Sequence, residues 1–363
     1  MSSAQRDMAI ELRGVSKTYA GFLGFGKRVN ALRGIDVSVG RGEVFGLLGP
    51  NGAGKSTLVK ILMTVIRPTS CAGHMLGAAV GSKAALRRVG YLPEHHKFPD
   101  HLTGAQVLDY FGALADVPRV DRRKRSAELL DLVGISRWKD HRVRGYSKGM
   151  RQRLGVANAL MNDPDIVLLD EPTDGVDPVG RRDIRNILQE MKRRGKTVVL
   201  NSHLLSELEM VCDRVAILVQ GLVSKQGTID ELTVAEQRYE IEVDVRDGED
   251  VSGALSGVMI GPYPIDASEI GKPGLLESVT YEGSTLRVPT TDARRVQPII
   301  DALRAKGTVI RAVRPVRPSL EDLFMQAVTD PNTGEVLKPG AAENPVRRLS
   351  EPTSAGDAVG SES

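Results

Sequence analysis

Gly49-Pro-Asn-Gly-Ala-Gly-Lys-Ser-Thr57 follows the short apolar run Val44–Leu48 and precedes a stretch in which Leu58, Ile61, Leu62, Val65 and Ile66 recur at three- and four-residue steps. The run reads as a buried strand, and the spaced residues as one face of a helix continuing through Ile66. Strand, glycine loop and helix in that order are the context that a G-x-x-x-x-G-K-[ST] phosphate motif requires. Its glycines let backbone N–H groups turn inward around phosphate oxygens at a helix N-terminus. The whole loop, Gly49, Pro50, Asn51, Gly52, Ala53, Gly54, Lys55, Ser56 and Thr57, is therefore assigned to a nucleoside triphosphate. Lys55 would reach the β- and γ-phosphates, and the Ser56 hydroxyl would ligate Mg²⁺.

Further along, Asp165-Ile-Val-Leu-Leu-Asp170-Glu171 is an apolar strand that ends in two adjacent carboxylates. Such a strand is expected beside the glycine-loop strand. Asp170 would then hold Mg²⁺, directly or through water, and Glu171 would orient and polarise the attacking water. Thr197–Leu200 has the same buried-strand look. After Ser147, placed as a helix N-cap, Met150, Leu154, Ala157, Leu160 and Met161 repeat at helical spacing. Strands alternating with helices indicate an α/β domain, and the β-rich stretch Ile10–Val39 suggests a flanking antiparallel layer.

Charge and composition narrow the class. Lys+Arg 49 against Asp+Glu 46 leaves a net charge of +3, which argues against a protein whose main task is coating nucleic acid. A hydrophobic content of 41% supports a sizeable core. Two cysteines exclude a disulfide scaffold or a cysteine-rich zinc module and fit a reducing compartment. The opening MSSAQRDMAIELRGV lacks a signal-peptide apolar stretch, and no window reaches about 20 apolar residues. A soluble, cytosolic protein is expected.

Composition shifts near Gly227, so residues 8–227 are taken as the first domain. Tyr239–Arg246 alternates apolar and charged residues as a half-buried strand does. Val296, Ile299, Ile300 and Leu303 mark one face of a helix after Thr291, and Thr308–Val313 is β-like. Ser319-Leu-Glu-Asp reads as a capping box that opens a last short helix through Val328. Residues 228–328 form an expected smaller α/β domain, and 329–363, without periodicity, an expected disordered tail.

The segment Tyr146-Ser-Lys-Gly-Met-Arg-Gln-Arg-Leu154 resembles the signature of the ATP-binding cassette superfamily, usually Leu-Ser-Gly-Gly-Gln. Other family motifs follow in order across residues 8–227. Tyr19, in Ser-Lys-Thr-Tyr, is similar to the aromatic that stacks on adenine. Glu171-Pro-Thr-Asp-Gly-Val-Asp177 is similar to the loop after the catalytic glutamate, with Asp177 at its nucleotide-contacting aspartate. Asn201-Ser-His203 is similar to the switch, whose histidine contacts the γ-phosphate. The resemblance implies a phosphate-loop cassette with a parallel sheet, a flanking β layer and a helical subdomain, hydrolysing ATP with Mg²⁺. It also implies a head-to-tail homodimer, or a pair with a related cassette. There, Ser147 and the N–H of Gly149 at a helix N-terminus cap the γ-phosphate bound on the opposite protomer.

Some positions depart from the pattern. Gly90-Tyr-Leu-Pro-Glu94 carries Glu94 where many cassettes have glutamine, and a carboxylate there could serve a magnesium-bound water. Tyr146, Lys148 and Met150 replace the commoner Leu, Gly and Gln, and Val176 replaces a leucine. Together these traits, with the closing Ser-Leu-Glu-Asp-Leu-Phe, resemble the branch that includes daunorubicin-resistance and sodium-export ATPases, which has a C-terminal extension. That branch implies an ATPase bound to the inner face of the cell membrane through an integral membrane permease, with the segment around 90–115 pushing on it and no nucleic acid partner. The alternative is a soluble cassette ATPase acting on nucleic acid or the ribosome. Lesser candidates are His95, His96 and His101 with Glu94 as a metal cluster or a polar loop, Cys71 and Cys212 as small buried or semi-buried residues, and the basic run Arg119–Arg125 as a solvated helix face or a lipid-headgroup patch. The 228–328 domain could stabilise a dimer, gate hydrolysis, sense a ligand, or serve as a structural appendage.

Overall fold

The structure is a computed structural model that describes residues 8–19, 28–234, 237–244, 259–260, 263–264, 280–282, 284–288, 290–305, 307–329 and 336–337. The chain opens with two long strands, β1 (Met8–Tyr19) and β2 (Val29–Gly40), followed by β3 (Val44–Leu48), α1 (Lys55–Leu62), β4 (Ser70–Met75) and β5 (Ala78–Ala79). Next come α2 (Lys83–Leu86), β6 (Val89–Leu92), α3 (Gly104–Leu114), α4 (Arg119–Leu132), α5 (Lys148–Ala159) and β7 (Ile166–Asp170). The first unit closes with α6 (Pro178–Arg193), β8 (Thr197–Asn201), α7 (Leu205–Val211), β9 (Arg214–Val219), β10 (Leu222–Thr228) and α8 (Ile229–Val234).

Six strands form the central sheet in the order β10-β9-β3-β8-β7-β6, parallel except for the β9–β10 pair. A parallel sheet must be covered on both faces, and the alternation of side chains does this. Ile166, Leu168, Phe45, Leu47 and Val199 share a core with α1 and the antiparallel layer β2-β1-β4-β5. Val167, Leu169, Val44, Leu48, Val198 and Leu200 face the opposite way, into the core shared with α5 and α6. The antiparallel layer spans the stretch read as β-rich from sequence. Helices α3, α4 and α5 pack together as the helical subdomain.

Two sequence readings are corrected. The acidic strand β7 is not beside the glycine-loop strand β3, because β8 lies between them and pairs with both. An apolar run shows that a strand is buried on both faces, but it carries no information on neighbour order. Helix α1 stops at Leu62 rather than running to Ile66. Thr64 enters the left-handed region with φ 57°, and the Thr64 and Val65 N–H groups donate back to Ile61 and Lys60 at 2.9 and 2.8 Å. This Schellman pattern satisfies the terminal carbonyls, and it leaves Val65 exposed.

Beyond α8, the chain forms β11 (Arg238–Asp244), β12 (Met259–Ile260), β13 (Tyr263–Pro264), β14 (Thr280–Glu282), β15 (Thr285–Val288), α9 (Ala293–Ala305), β16 (Val309–Val316) and α10 (Leu320–Val328). An antiparallel sheet of order β14-β15-β11-β16 packs Ile241, Val243, Leu286 and Val288 against Val296, Ile299, Ile300 and Leu303 of α9. The capping box of α10 forms between Ser319 and Asp322, as its sequence predicts. Its apolar face, however, joins the first unit: Leu320, Leu323 and Val328 belong to the same core as Leu208 of α7. The first residues of the expected tail also return to the body. Thr329 bridges to Val336, and the Leu337 N–H donates to the Val328 carbonyl at 2.7 Å. Residues 330–335 and 338–363, and Val245 and Arg246 of the expected strand, lie outside the described residues.

Candidate functional site

The glycine loop turns from β3 into α1 at Gly54, whose φ is 107°; a β-carbon there would lie 2.6 Å from the Ala31 carbonyl oxygen, so only glycine fits. Lys55, the first residue of α1, is buried, and its ammonium donates to the carbonyls of Gly49 and Pro50 at 2.6 and 3.3 Å. Burial pushes its pKa down, while the carboxylates of Glu171, Asp170 and Glu94 push it up. The loop residues 51–57, with Tyr19, Glu94, Glu171 and Asn201, line a cleft of about 320 Å³. Tyr19 stands at its rim with the Lys17 ammonium 4.9 Å from the ring centre.

Sheet register brings the acidic pair to this cleft. Asp170 shares the face of Ile166 and Leu168, the side that carries α1, because side chains alternate along a strand. Its register partner on β8 is Asn201, whose amide Nδ2 donates to Asp170 Oδ1. Burial raises the Asp170 pKa against the opposing pull of that bond. Glu171 follows in the left-handed region at φ 51°, with its N–H donating to the Asn201 carbonyl at 2.8 Å. One carboxylate oxygen, Oε2, lies 2.7 Å from His203 Nδ1. Burial raises the Glu171 pKa, and His203 opposes the rise.

The donor set fits a magnesium nucleotide. Ser56, Asp170 and Glu94 offer hard oxygen ligands of the kind Mg²⁺ takes, and the Oδ1 of Asn201 is buried beside Asp170 with no hydrogen-bond partner among the described residues. The loop and Lys55 supply the donors and the positive charge that phosphates need. Thus the glycine loop, Tyr19, Glu94, Asp170, Glu171 and His203 come together. Three other sequence candidates do not. Ser147 is the N-cap of α5, its Oγ accepting from the Met150 N–H at 3.2 Å, with Gly149 the second residue of the helix. Asp177 is the N-cap of α6, where Oδ1 accepts from the Gly180 N–H at 2.6 Å. All three lie outside the cleft formed by their own chain.

The sequence motifs assign no role to Asn201 or Gln152. Asn201 is an amide closing a buried strand after the apolar run Val198–Leu200, and Gln152 a polar residue on the apolar face of α5. That misplacement is the signal that could have found them. The lesser candidates are used otherwise. The His96 ring nitrogens lie 3.3 Å from the Pro93 and Arg151 carbonyls, and no trio of His, Cys, Asp or Glu poised for a metal occurs among the described residues. Within the basic run, Arg122 and Arg125 pair with Asp109 and Asp163. Burial raises the thiol pKa of both Cys71 and Cys212.

The sequence model described as ABC transporter matches residues 32–174. A doxorubicin resistance ATP-binding protein of Mycobacterium tuberculosis is 35% identical over 327 residues, covering 90% of this chain and 95% of that protein. A Nod factor export ATP-binding protein of Ralstonia nicotianae is 34% identical over 302 residues, covering 81% and 87%. Among solved structures, a dimeric ATP-binding cassette in a post-hydrolysis state with ADP and Pi superposes with a TM-score of 0.54 at 26% identity, covering 60% of this chain and 98% of that one.

Proposed function

The chain belongs to the ABC transporter family as an ATP-binding subunit with ATPase activity, and from that premise we propose that it drives export as a dimer bound to the cytosolic side of an integral membrane permease. The observation that carries the reading is the cleft lined by Lys55, Ser56, Glu94 and Glu171 along the glycine loop, with Asp170 bonded to its lining residue Asn201 and close enough to act on the Lys55 charge. Doxorubicin resistance and Nod factor export, in the names of the two relatives, support an outward direction. A dimeric relative with ADP and Pi supports the paired state. Among the described residues no helix is long and apolar enough to cross a membrane, so this chain would rely on a partner for the pathway itself.

In this reading the loop N–H groups and Lys55 hold the β- and γ-phosphates, and Tyr19 takes the base. Ser56 and Asp170, with Glu94 as a further oxygen donor, would hold Mg²⁺, which would supply positive charge to offset the charge that develops on the phosphates. Glu171 accepts a hydrogen bond from the attacking water, and the burial that raises its pKa makes it a stronger base. His203, bonded to the Glu171 carboxylate, holds its orientation and faces the γ-phosphate. Ser147, Gly149 and Asp177, outside their own cleft, complete the site of the opposite protomer. Residues 8–227 carry this chemistry, with the unit built on β11, β15, β16 and α9 as an accessory.

Phosphate release from Mg²⁺-ATP tests the assignment. Wild type turns over, while Lys55→Ala loses about a hundredfold or more in rate. Glu171→Gln, still binding ATP, elutes as a dimer on size exclusion only when ATP and Mg²⁺ are present. Near-normal turnover by Glu171→Gln would remove the general base from this account. Purifying the trapped dimer from gently solubilised membranes then identifies the permease, and recovery of ribosomal or nucleic-acid material instead would move the assignment to a soluble cassette ATPase.

A further inference from the structure

Gln152 lies on the apolar face of α5 with Gly155, Val156 and Ala159 and is only 4% exposed. A buried primary amide is costly unless it is bonded. Its Nε2 donates to the main-chain carbonyl of Glu171 at 3.2 Å. That acceptor belongs to a residue held at φ 51°, a region that non-glycine residues seldom enter and that the surroundings must enforce. The Glu171 N–H is tied to the Asn201 carbonyl at 2.8 Å, and its carbonyl also accepts the Asp174 N–H at 3.2 Å. Gln152 is the tie that comes from α5.

The same helix grips the segment after Glu171 at two further points. Lys148 pairs with Asp174 at 2.8 Å, and Arg153 with Asp183 at 3.3 Å. The Lys148 stem lies across Gly175, where a β-carbon would sit 2.0 Å from its ammonium nitrogen. Helix α5 and the 171–183 segment are therefore tied at three points, and of these Gln152 is the contact made to Glu171 itself.

We propose that Gln152 is a positioning residue for ATP hydrolysis: by holding the Glu171 carbonyl it keeps the backbone in the left-handed conformation that aims the carboxylate at the water. The role rests on Glu171 being the water-activating group. Because the donor is carried by α5, a small rotation of that helix re-aims the carboxylate, so the helix that starts at Ser147 governs how competent Glu171 is.

Gln152→Met keeps the side-chain length and removes the donor. It should lower kcat about tenfold while KM for ATP and nucleotide affinity stay within about twofold of wild type. An unchanged kcat overturns the role, and so does a loss of ATP affinity that matches the loss of rate, since that marks general damage to the site. Gln152→Glu, of the same shape but presenting an acceptor to the carbonyl, should lose kcat in the same way even if Gln152→Met folds poorly. A double substitution separates this role from the underlying one. On a Glu171→Gln background, Gln152→Met should slow the residual rate by less than about twofold, because both act through one carboxylate. A further tenfold loss there means that Gln152 acts elsewhere. If Glu171→Gln itself retains turnover, the assignment of Glu171 fails and the Gln152 role falls with it.

Discussion

At Glu171, burial disfavours the carboxylate while the bond from His203 favours it, and the net effect raises the pKa. Asp170 next to it is raised for the same reason, with Asn201 as the opposing partner. A carboxyl whose native pKa is raised adds stability that is complete below its unfolded pKa and is lost as pH rises through the native value. Without nucleotide the protein therefore holds two carboxylates whose ionisation burial opposes. Glu171→Gln removes one of these titrations. Its melting temperature should exceed that of wild type by an amount that grows from about pH 4 to about pH 7. Thermal melts of both proteins without nucleotide across this range check it, and a gain that shrinks with pH would mean the His203 bond outweighs burial.

The elements place these residues through close backbone approaches. Asp170 reaches Asn201 because β7 and β8 pair in register at their ends, which puts both side chains on the α1 face. Strand β6, which leads to Glu94, is pressed just as tightly against the C-terminal end of α5. A β-carbon at Gly90 would lie 1.9 Å from the Ala159 carbonyl oxygen, a backbone atom that no rotamer can move. Gly90→Ala should therefore part β6 from α5 at a cost of about 2–4 kcal/mol. The melting temperature should fall by about 5 °C or more, against little change for Gly145→Ala, where a β-carbon would meet nothing within 4 Å. Equal melting temperatures for the two variants would show that the sheet edge yields more easily than its packing implies.

At the scale of the whole molecule there are two kinds of core, and α10 belongs to the unexpected one. Leu323 packs within the cassette core although some 90 residues of the accessory unit precede it, whereas Ile299 sits in the small separate core of α9 and its sheet. The two substitutions should part company in calorimetry. Leu323→Ala should destabilise the ATP-binding cassette by about 2–5 kcal/mol, and with it ATPase activity at elevated temperature. Ile299→Ala, for a similar loss of buried volume, should lower the transition of the accessory unit and leave ATP turnover intact. A common loss in both variants would make the two cores one cooperative block.

Much of the site was legible because its chemistry is local. The glycine loop needs consecutive residues of fixed conformation, the acidic pair ends one strand, and the caps at Ser147 and Ser319 are set within four residues. Sequence alone thus determined the α/β class, the phosphate loop, the candidate metal and base carboxylates, and the relation to cassettes. Tertiary structure decided what depends on neighbours distant in the chain. It placed β8 between β3 and β7, stopped α1 at Leu62, sent α10 to the cassette core, and set Asn201 and Gln152 against the acidic pair. The physical reason is that period and residue type report whether a face is buried, while strand order and the partner of a buried amide follow only from which faces meet when the chain packs.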